Sequence, residues 1–218
     1  MVPQPAAFLF DLDGLLLDTE PIHGQAWSTA ARHFGLELTQ AQLMQLRGRR
    51  RQDCAEQVDE WLPRSVGVDA LLAIQQPSAR AQLPMAEAMP GAEALVRYGH
   101  QHGIPMALVT SSVTDAVEFK AAPHPWIALI QSRVYGDDPE LQRGKPHPDP
   151  FVLAARRLGF PTSECWAFED SSAGTQSALT AGCQVWVLNR SASEQLTGNP
   201  RRIQSLETPI GFVLSTGD

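Results

Sequence analysis

The chain has 218 residues, and 43% of them are apolar, which is enough to build a sizeable hydrophobic core. That apolar fraction excludes an intrinsically disordered chain and a collagen-like repeat. Seventeen Lys and Arg residues against 24 Asp and Glu residues give a net charge of −7, and this acidic balance disfavours a general binder of nucleic acid or anionic membrane. Small phosphorylated ligands stay compatible with it, because one pocket can be positive on a negative protein.

Cysteine usage and hydropathy indicate the compartment. Cys54, Cys165 and Cys183 are odd in number and far apart, without CxxC spacing, which favours reduced thiols over a disulfide framework or a zinc site. No apolar stretch reaches the ~18 residues of a membrane helix, and residues 1–5 lack the basic start of a signal peptide. We therefore expect a cytoplasmic monomer that binds neither membrane nor nucleic acid.

The first predicted element is a short buried strand at 6–10. About 95 residues separate it from the next apolar run, far more than one crossover helix needs. This interval shows helical spacing and nothing that resembles a strand, with predicted helices at 22–34, 39–46, 50–62 and 68–76. We interpret 19–87 as an inserted all-helical cap that returns through the proline-punctuated segment 83–91.

Strand and helix alternate through the remainder of the chain. Four further apolar runs predict strands at 106–110, 133–135, 165–169 and 185–188. Helical spacing predicts helices around 92–98, 151–158 and 173–179, with Gly103, Gly159 and Gly182 as stops. A short strand is predicted at 210–214. The alternation predicts an α/β fold, a doubly wound parallel sheet formed by 1–18 and 88–218.

Two acids follow the first predicted strand directly. Asp11 and Asp13 would leave the carboxyl end of a buried strand, where open α/β sheets bind ligands. Carboxylates are costly there unless they bind a cation, attack an electrophile or transfer protons. A calcium loop does not fit, because Leu15 and Ile22 occupy its fifth and twelfth positions. A solvated acidic turn is the remaining alternative, which the apolar flanks disfavour.

Four segments together resemble the haloacid dehalogenase superfamily. They are DLDGLLLDT at 11–19, MALVT at 106–110, GKPHPD at 144–149 and FEDSSAG at 168–174. They occur in the family's order, and the match extends over about 8–188. The place of the predicted cap, between the first and second motifs, is similar to the β-phosphoglucomutase-like subfamily.

The resemblance implies a role for each matching residue. Asp11 would be the nucleophile, and Asp13 the general acid and base. Thr110 and Lys145 would bind the phosphoryl oxygens. The magnesium ligands would be Asp11, the Asp13 carbonyl, Glu169 and Asp170, and the further substrate contacts Gly14, Ser111, His23 and Arg51. Taken singly, a strand-end threonine, a lysine, an acidic pair before a helix or a histidine has an ordinary structural explanation.

The cap carries one basic cluster, at 47–51. It lacks the interleaved aromatic residues of a nucleic-acid surface, and a solvated helix start is an equally good interpretation. In the subfamily that the chain resembles, this segment supplies an arginine to the cleft, and Arg51 matches it best.

Among the reactions of the resembled superfamily, dehalogenation is disfavoured because Asp13 is present. A mutase needs a second phosphate site in the cap, yet 71–89 contains Arg80 as its only cation. A non-catalytic binder is the third candidate, and the intact acids disfavour it. We therefore expect a magnesium-dependent phosphatase acting on a small phosphorylated metabolite, a sugar phosphate or nucleotide-like monophosphate. Segments 89–93, 102–105 and 136–140 also resemble the pseudouridine 5′-phosphatase group.

Overall fold

A computed structural model describes residues 4–188 and 200–215. Its centre is a six-stranded, fully parallel sheet in the order β3-β2-β1-β4-β5-β6. The strands are β1 (Ala7–Phe10), β2 (Met106–Val109), β3 (Ser132–Val134), β4 (Cys165–Glu169), β5 (Gln184–Leu188) and β6 (Arg201–Ile203). The strand order reverses between β1 and β4, which is the switch point where such sheets bind ligands.

Nine α-helices accompany these strands within the described residues. They are α1 (Glu20–His33), α2 (Gln40–Leu46), α3 (Arg51–Trp61), α4 (Val68–Arg80), α5 (Ala92–Gln101), α6 (Thr114–Ala121), α7 (Asp149–Leu158), α8 (Ser172–Thr180) and α9 (Thr208–Ser215). Local sequence sets several ends: Thr39 and Gln42 form a capping box before α2, and Gly159 ends α7 in the left-handed conformation. No described helix combines the length and apolarity that crossing a membrane requires.

The sheet is buried on both faces. Phe8 and Phe10 point into one apolar cluster with residues of α5 and α6, whereas Ala7 and Leu9 point into the other with residues of α7 and α8. Successive strand residues alternate between faces, so helices on both sides require strands that are apolar throughout. The predicted doubly wound α/β fold is confirmed.

The predicted strand at 210–214 is wrong, because this segment lies in α9. A short apolar run fits a strand and a buried helix equally well by periodicity. Pro209 carries the better signal, since a proline in the first helical turn has its φ angle already fixed for the helix. Strand β6 and helix α6 were not predicted.

Helices α1 to α4 share an apolar cluster of their own, which includes Trp27, Val58 and Leu71. The chain enters and leaves this layer through adjacent segments, since the Asp18 amide donates to the Glu87 carbonyl at 2.8 Å. The division into a cap at 19–87 and a core at 1–18 and 88–218 stays a prediction. The predicted core also extends over 1–3, 189–199 and 216–218, which lie outside the described residues.

Candidate active site

The ends of three adjacent strands bring the predicted motifs together. Asp11 follows β1, Thr110 follows β2, and Glu169 ends β4, with β1 paired to both of its neighbours. The Asp11 amide donates to the Phe168 carbonyl at 3.1 Å, which continues the ladder by one residue. Residues more than 90 positions apart thereby meet at the strand-order switch point.

Lys145 links two of the carboxylates. Its Nζ lies 2.5 Å from Asp11 Oδ1 and 2.5 Å from Glu169 Oε1, and the lysine is fully buried. Burial lowers the pKa of a lysine, but the two carboxylates outweigh that effect and raise it, so Lys145 stays charged. It is held where it can offer positive charge to a group bound beside Asp11.

Asp11, Glu169 and Asp170 form a buried carboxylate cluster, with one oxygen of each lying within 4.8 Å of the others. Burial raises the pKa of Asp11 to about 8, although Lys145 opposes the shift. Burial likewise raises the pKa of Asp170, against the effect of Arg47. Burial thus disfavours the ionised form of both carboxyls despite the cations beside them.

The donor set of this cluster fits a hard divalent cation. Asp170 Oδ1 is buried and has no hydrogen-bond partner among the described residues. Three carboxylates and backbone carbonyls are the oxygen ligands that Mg²⁺ uses, with waters completing its shell. Asp11, Glu169 and Asp170 are therefore the residues that could hold a metal ion.

Gly14 lies directly against this cluster. Its φ of +85° is one that L side chains rarely adopt, and a Cβ built there would lie 2.2 Å from Asp170 Oδ2. The glycine of the first motif is thus required for both its backbone angle and the space that it leaves. It does not line the cavity that is described below.

Asp13 has a different environment from Asp11. Lys120 Nζ lies 2.5 Å from both of its oxygens, and Thr19 and Ser112 donate hydroxyl hydrogen bonds to it at 2.6 and 2.9 Å. His23 Nε2 is 3.3 Å from Asp13 Oδ1. Burial raises the pKa of Asp13, but Lys120 and His23 outweigh that effect, and the pKa lies well below its usual value.

Lys120 was not predicted from the sequence, because α6 was not predicted. It is fully buried on that helix and also donates to Ser112 Oγ at 2.8 Å. One signal was available: the chain has only two lysines, Lys120 and Lys145, and its other basic side chains are arginine and histidine. Both lysines are buried against the acids of the first motif.

The end of β2 and the loop after it contact both Asp13 and the layer formed by α1 to α4. Thr110 Oγ1 is 3.5 Å from Asp13 Oδ2 and accepts a hydrogen bond from the Ser112 amide at 3.1 Å. Ser111 Oγ donates to the Gly48 carbonyl at 2.8 Å. Thr110 thus lies beside Asp13, and Ser111 connects the loop after β2 to the segment between α2 and α3.

Arg47, at the end of α2, also reaches the site. Its Nη2 lies 2.5 Å from Asp170 Oδ2, and its Nε lies 2.9 Å from Glu20 Oε2. This arginine of the 47–51 cluster is thus paired with carboxylates rather than solvated. Arg51 was the residue predicted from this cluster, and Arg47 was not predicted.

A cavity of about 500 Å³ opens on these groups. Asp11, Asp13 and the loop after β2 line it on the sheet side, and residues of α1 to α4 line it on the other. Three of the predicted substrate contacts, His23, Arg51 and Ser111, are among its walls. The cavity size is typical of small-molecule sites, which occupy ~300–1,000 Å³.

Comparison with known proteins identifies the class to which this chain belongs. A model of the haloacid dehalogenase-like hydrolases matches residues 5–182, and the chain belongs to this family. The predicted membership is confirmed.

Named relatives confirm the prediction of a phosphoric monoester hydrolase. The chain is 36% identical over 181 residues to a probable pseudouridine-5′-phosphatase of Drosophila melanogaster, covering 81% of this chain and 78% of the relative. It is 33% identical over 200 residues to hexitol phosphatase A of Escherichia coli, covering 85% and 83%. A β-phosphoglucomutase structure from Clostridium difficile has the same fold, with a TM-score of 0.81, 19% identity, and 97% and 96% coverage.

Proposed function

We propose that this chain is a Mg²⁺-dependent phosphatase that hydrolyses a small phosphomonoester through an aspartyl-phosphate at Asp11. The observation that carries the proposal is the position of Asp11. It lines the cavity while Lys145 binds one of its oxygens and two further carboxylates lie beside it. A carboxylate so placed can meet a phosphorus atom in line with its ester bond.

In the first step, an Asp11 oxygen forms a bond to phosphorus while the bond from phosphorus to the alcohol oxygen breaks. Asp13, in its protonated form, donates a proton to the departing alcohol. In the second step Asp13 takes a proton from water, the water oxygen bonds to phosphorus, and the Asp11–phosphorus bond breaks. Lys145 offers positive charge to the phosphoryl oxygens in both steps, and Thr110 a hydroxyl donor.

Asp11, Glu169, Asp170 and the Asp13 carbonyl are the proposed magnesium ligands. When bound, the ion supplies positive charge that reduces repulsion between the Asp11 carboxylate and a phosphate dianion. The raised pKa of Asp11 supports this role, because the nucleophile needs additional positive charge nearby to be ionised at neutral pH.

The relatives support a sugar phosphate or nucleotide-like monophosphate as the substrate. Their names describe phosphatases of a pseudouridine nucleotide and of hexitol phosphates. His23 and Arg51 line the cavity beside the acids, and we assign them to contacts with the substrate. From α4, the described lining of the cavity receives Gln75 and no cation.

Phosphate release from p-nitrophenyl phosphate tests the proposal. We expect turnover with Mg²⁺, loss of turnover after complete chelation, and no turnover in Asp11→Asn. A mutase would instead interconvert sugar phosphates with little free phosphate, and activity that persists without divalent metal would contradict the mechanism.

Asp13→Asn tests the covalent intermediate. This variant keeps the backbone carbonyl and the nucleophile but loses the acid and base function, which contributes ~10²–10⁴-fold. Because p-nitrophenolate leaves without much help, we expect this variant to accumulate phosphate on Asp11. Mass spectrometry after acid quench measures the adduct. An adduct on any other residue, or one in Asp11→Asn, would refute the assignment.

A further inference from the structure

The layer of helices lines the cavity as well as the acids do. Each of α1 to α4 contributes, with the apolar or weakly polar Trp27, Leu43, Met44 and Cys54 and with polar side chains that include Gln25, Ser28, Gln40 and Gln75. Trp27 is almost fully buried. The apolar part of these walls can bury a flat or partly apolar group, whereas a small polyol has little apolar surface to bury there.

Gln75 differs from the other three polar side chains in being buried. It is 1% exposed, and its Oε1 is buried without a hydrogen-bond partner among the described residues. One helical turn to either side, the same face of α4 carries the fully buried Leu71 and the nearly buried Ala79. An apolar residue at 75 would suit the packing of this face better, because an unpaired buried amide oxygen destabilises the folded protein.

We infer that Gln75 is a specificity-determining residue, whose side-chain amide binds a ring N–H donor on the part of the substrate that is not transferred. This inference rests on the proposed function. It narrows the substrate class to a phosphomonoester of a sugar that carries a heterocyclic base. The amide offers an acceptor and a donor side by side, which matches the N–H and C=O edge of a pyrimidine-type ring. The apolar walls contact the faces of that ring.

Gln75→Leu tests the inference, because it removes the amide and replaces it with an apolar side chain of similar size. Gln76→Leu is the matched control, since Gln76 is the next residue of α4 and is exposed. We compare kcat/KM for uridine 5′-monophosphate with that for glycerol 3-phosphate in each protein. Gln75→Leu should lower the ratio of these two values ~10–100-fold, mainly through KM for the nucleotide, because discrimination by one buried hydrogen bond reaches this size or more. Gln76→Leu should keep the wild-type ratio.

Two further measurements separate a binding role from a structural one. The melting temperature of ligand-free Gln75→Leu should equal or exceed that of the wild type, because the variant loses an unpaired buried oxygen. In an Asp11→Asn background, calorimetric titration with uridine 5′-monophosphate should show weaker binding, by ~10-fold or more, when Gln75→Leu is added. This titration is informative even if the wild type does not turn over.

The outcomes distinguish this inference from the proposed function. An unchanged substrate ratio together with unchanged nucleotide affinity would overturn the role of Gln75 and leave the phosphatase intact. A lower melting temperature with an equal loss on both substrates would show a structural role instead. If the wild type hydrolyses neither ester but the titration shows the Gln75-dependent loss, the proposed reaction fails and the ligand class stands.

Discussion

Replacing Lys120 by methionine tests the arrangement around Asp13 directly. The side chain is fully buried, and its ammonium group makes short contacts to both Asp13 oxygens and one to Ser112. Methionine fills a similar volume without charge, so the variant removes the ion pair with little change in packing. What remains is a largely buried carboxylate without its main counter-charge.

The expected cost follows from the structure. Removing one partner of a buried ion pair destabilises a protein by ~3–5 kcal/mol. The Asp13 side chain is 15% exposed and keeps hydroxyl donors from Thr19 and Ser112, which places the cost at the lower end. We expect Lys120→Met to lower the free energy of unfolding by about 3 kcal/mol at pH 7, a large part of the ~5–15 kcal/mol of a typical domain.

A double-mutant cycle with Asp13→Asn, followed by urea unfolding, measures the interaction. Asp13→Asn alone also leaves an unpaired buried charge, that of Lys120. The double variant should therefore lose at least ~2 kcal/mol less free energy of unfolding than the sum of the two single losses.

Stability against pH gives an independent check of the same pair. The pKa of Asp13 is lowered in the folded wild type, so its contribution to stability is present above its unfolded value of ~4 and is lost as the pH falls through the folded pKa. In Lys120→Met burial is no longer opposed by the lysine, so the pKa rises and protonation relieves the unpaired charge. The cost should therefore be smaller at pH 5 than at pH 8. A cost below ~1 kcal/mol, or additive single effects, would refute the reasoning.

Two further predictions concern the carboxylate cluster. Gly14→Ala and Gly35→Ala both place an alanine at φ +85°, but only the former meets Asp170, since among the described residues nothing lies within 4 Å of a Cβ at Gly35. Gly35→Ala should lose ~1–2 kcal/mol in urea unfolding and Gly14→Ala more than that, and Gly14→Ala alone should lose Mg²⁺ binding by calorimetry, so equal Mg²⁺ affinities would contradict the steric argument. Because the pKa of Asp11 is raised to about 8, the metal-free native state binds the extra proton between pH ~4 and 8, and its stability falls as pH rises through this window, by up to ~1.4 kcal/mol per unit. Mg²⁺ favours the ionised form, so its stabilisation in thermal melts should be larger at pH 8 than at pH 5, and equal shifts would exclude Asp11 as a ligand.

The fold was largely predictable because its central strands are apolar on both faces. The runs that became β1, β2, β4 and β5 stand out for that reason, and parallel strands bring their carboxyl ends to one edge. Strand β6 has only three residues, two of them exposed arginines, and offers no such signal. The segment of α9 fits two structures by periodicity, and only tertiary packing decides between them.

The site was predictable where a residue follows a strand within a motif, as Asp11 and Glu169 do. It was not predictable where a side chain arrives from a helix packed over the sheet. Lys120 meets Asp13 across 107 positions, Arg47 meets Asp170 across 123, and neither belongs to a local pattern that indicates a contact. Gln75 could not be predicted for another reason. A single glutamine on an amphipathic helix is ordinarily solvated, and only its burial in the structure distinguishes it.

The two lysines affect the pKa values of Asp11 and Asp13 differently, and in the proposed mechanism these two acids have different roles. Lys145 is shared between Asp11 and Glu169, and its attraction does not offset the burial of Asp11, whose pKa is raised. Lys120 forms an ion pair with Asp13 and lowers the pKa of that carboxyl. Neighbouring carboxylates with oppositely shifted pKa values are the usual basis of different catalytic roles. In the proposed mechanism the ionised form of Asp13 accepts a proton from water in the second step, and Asp13 must gain a proton before the first.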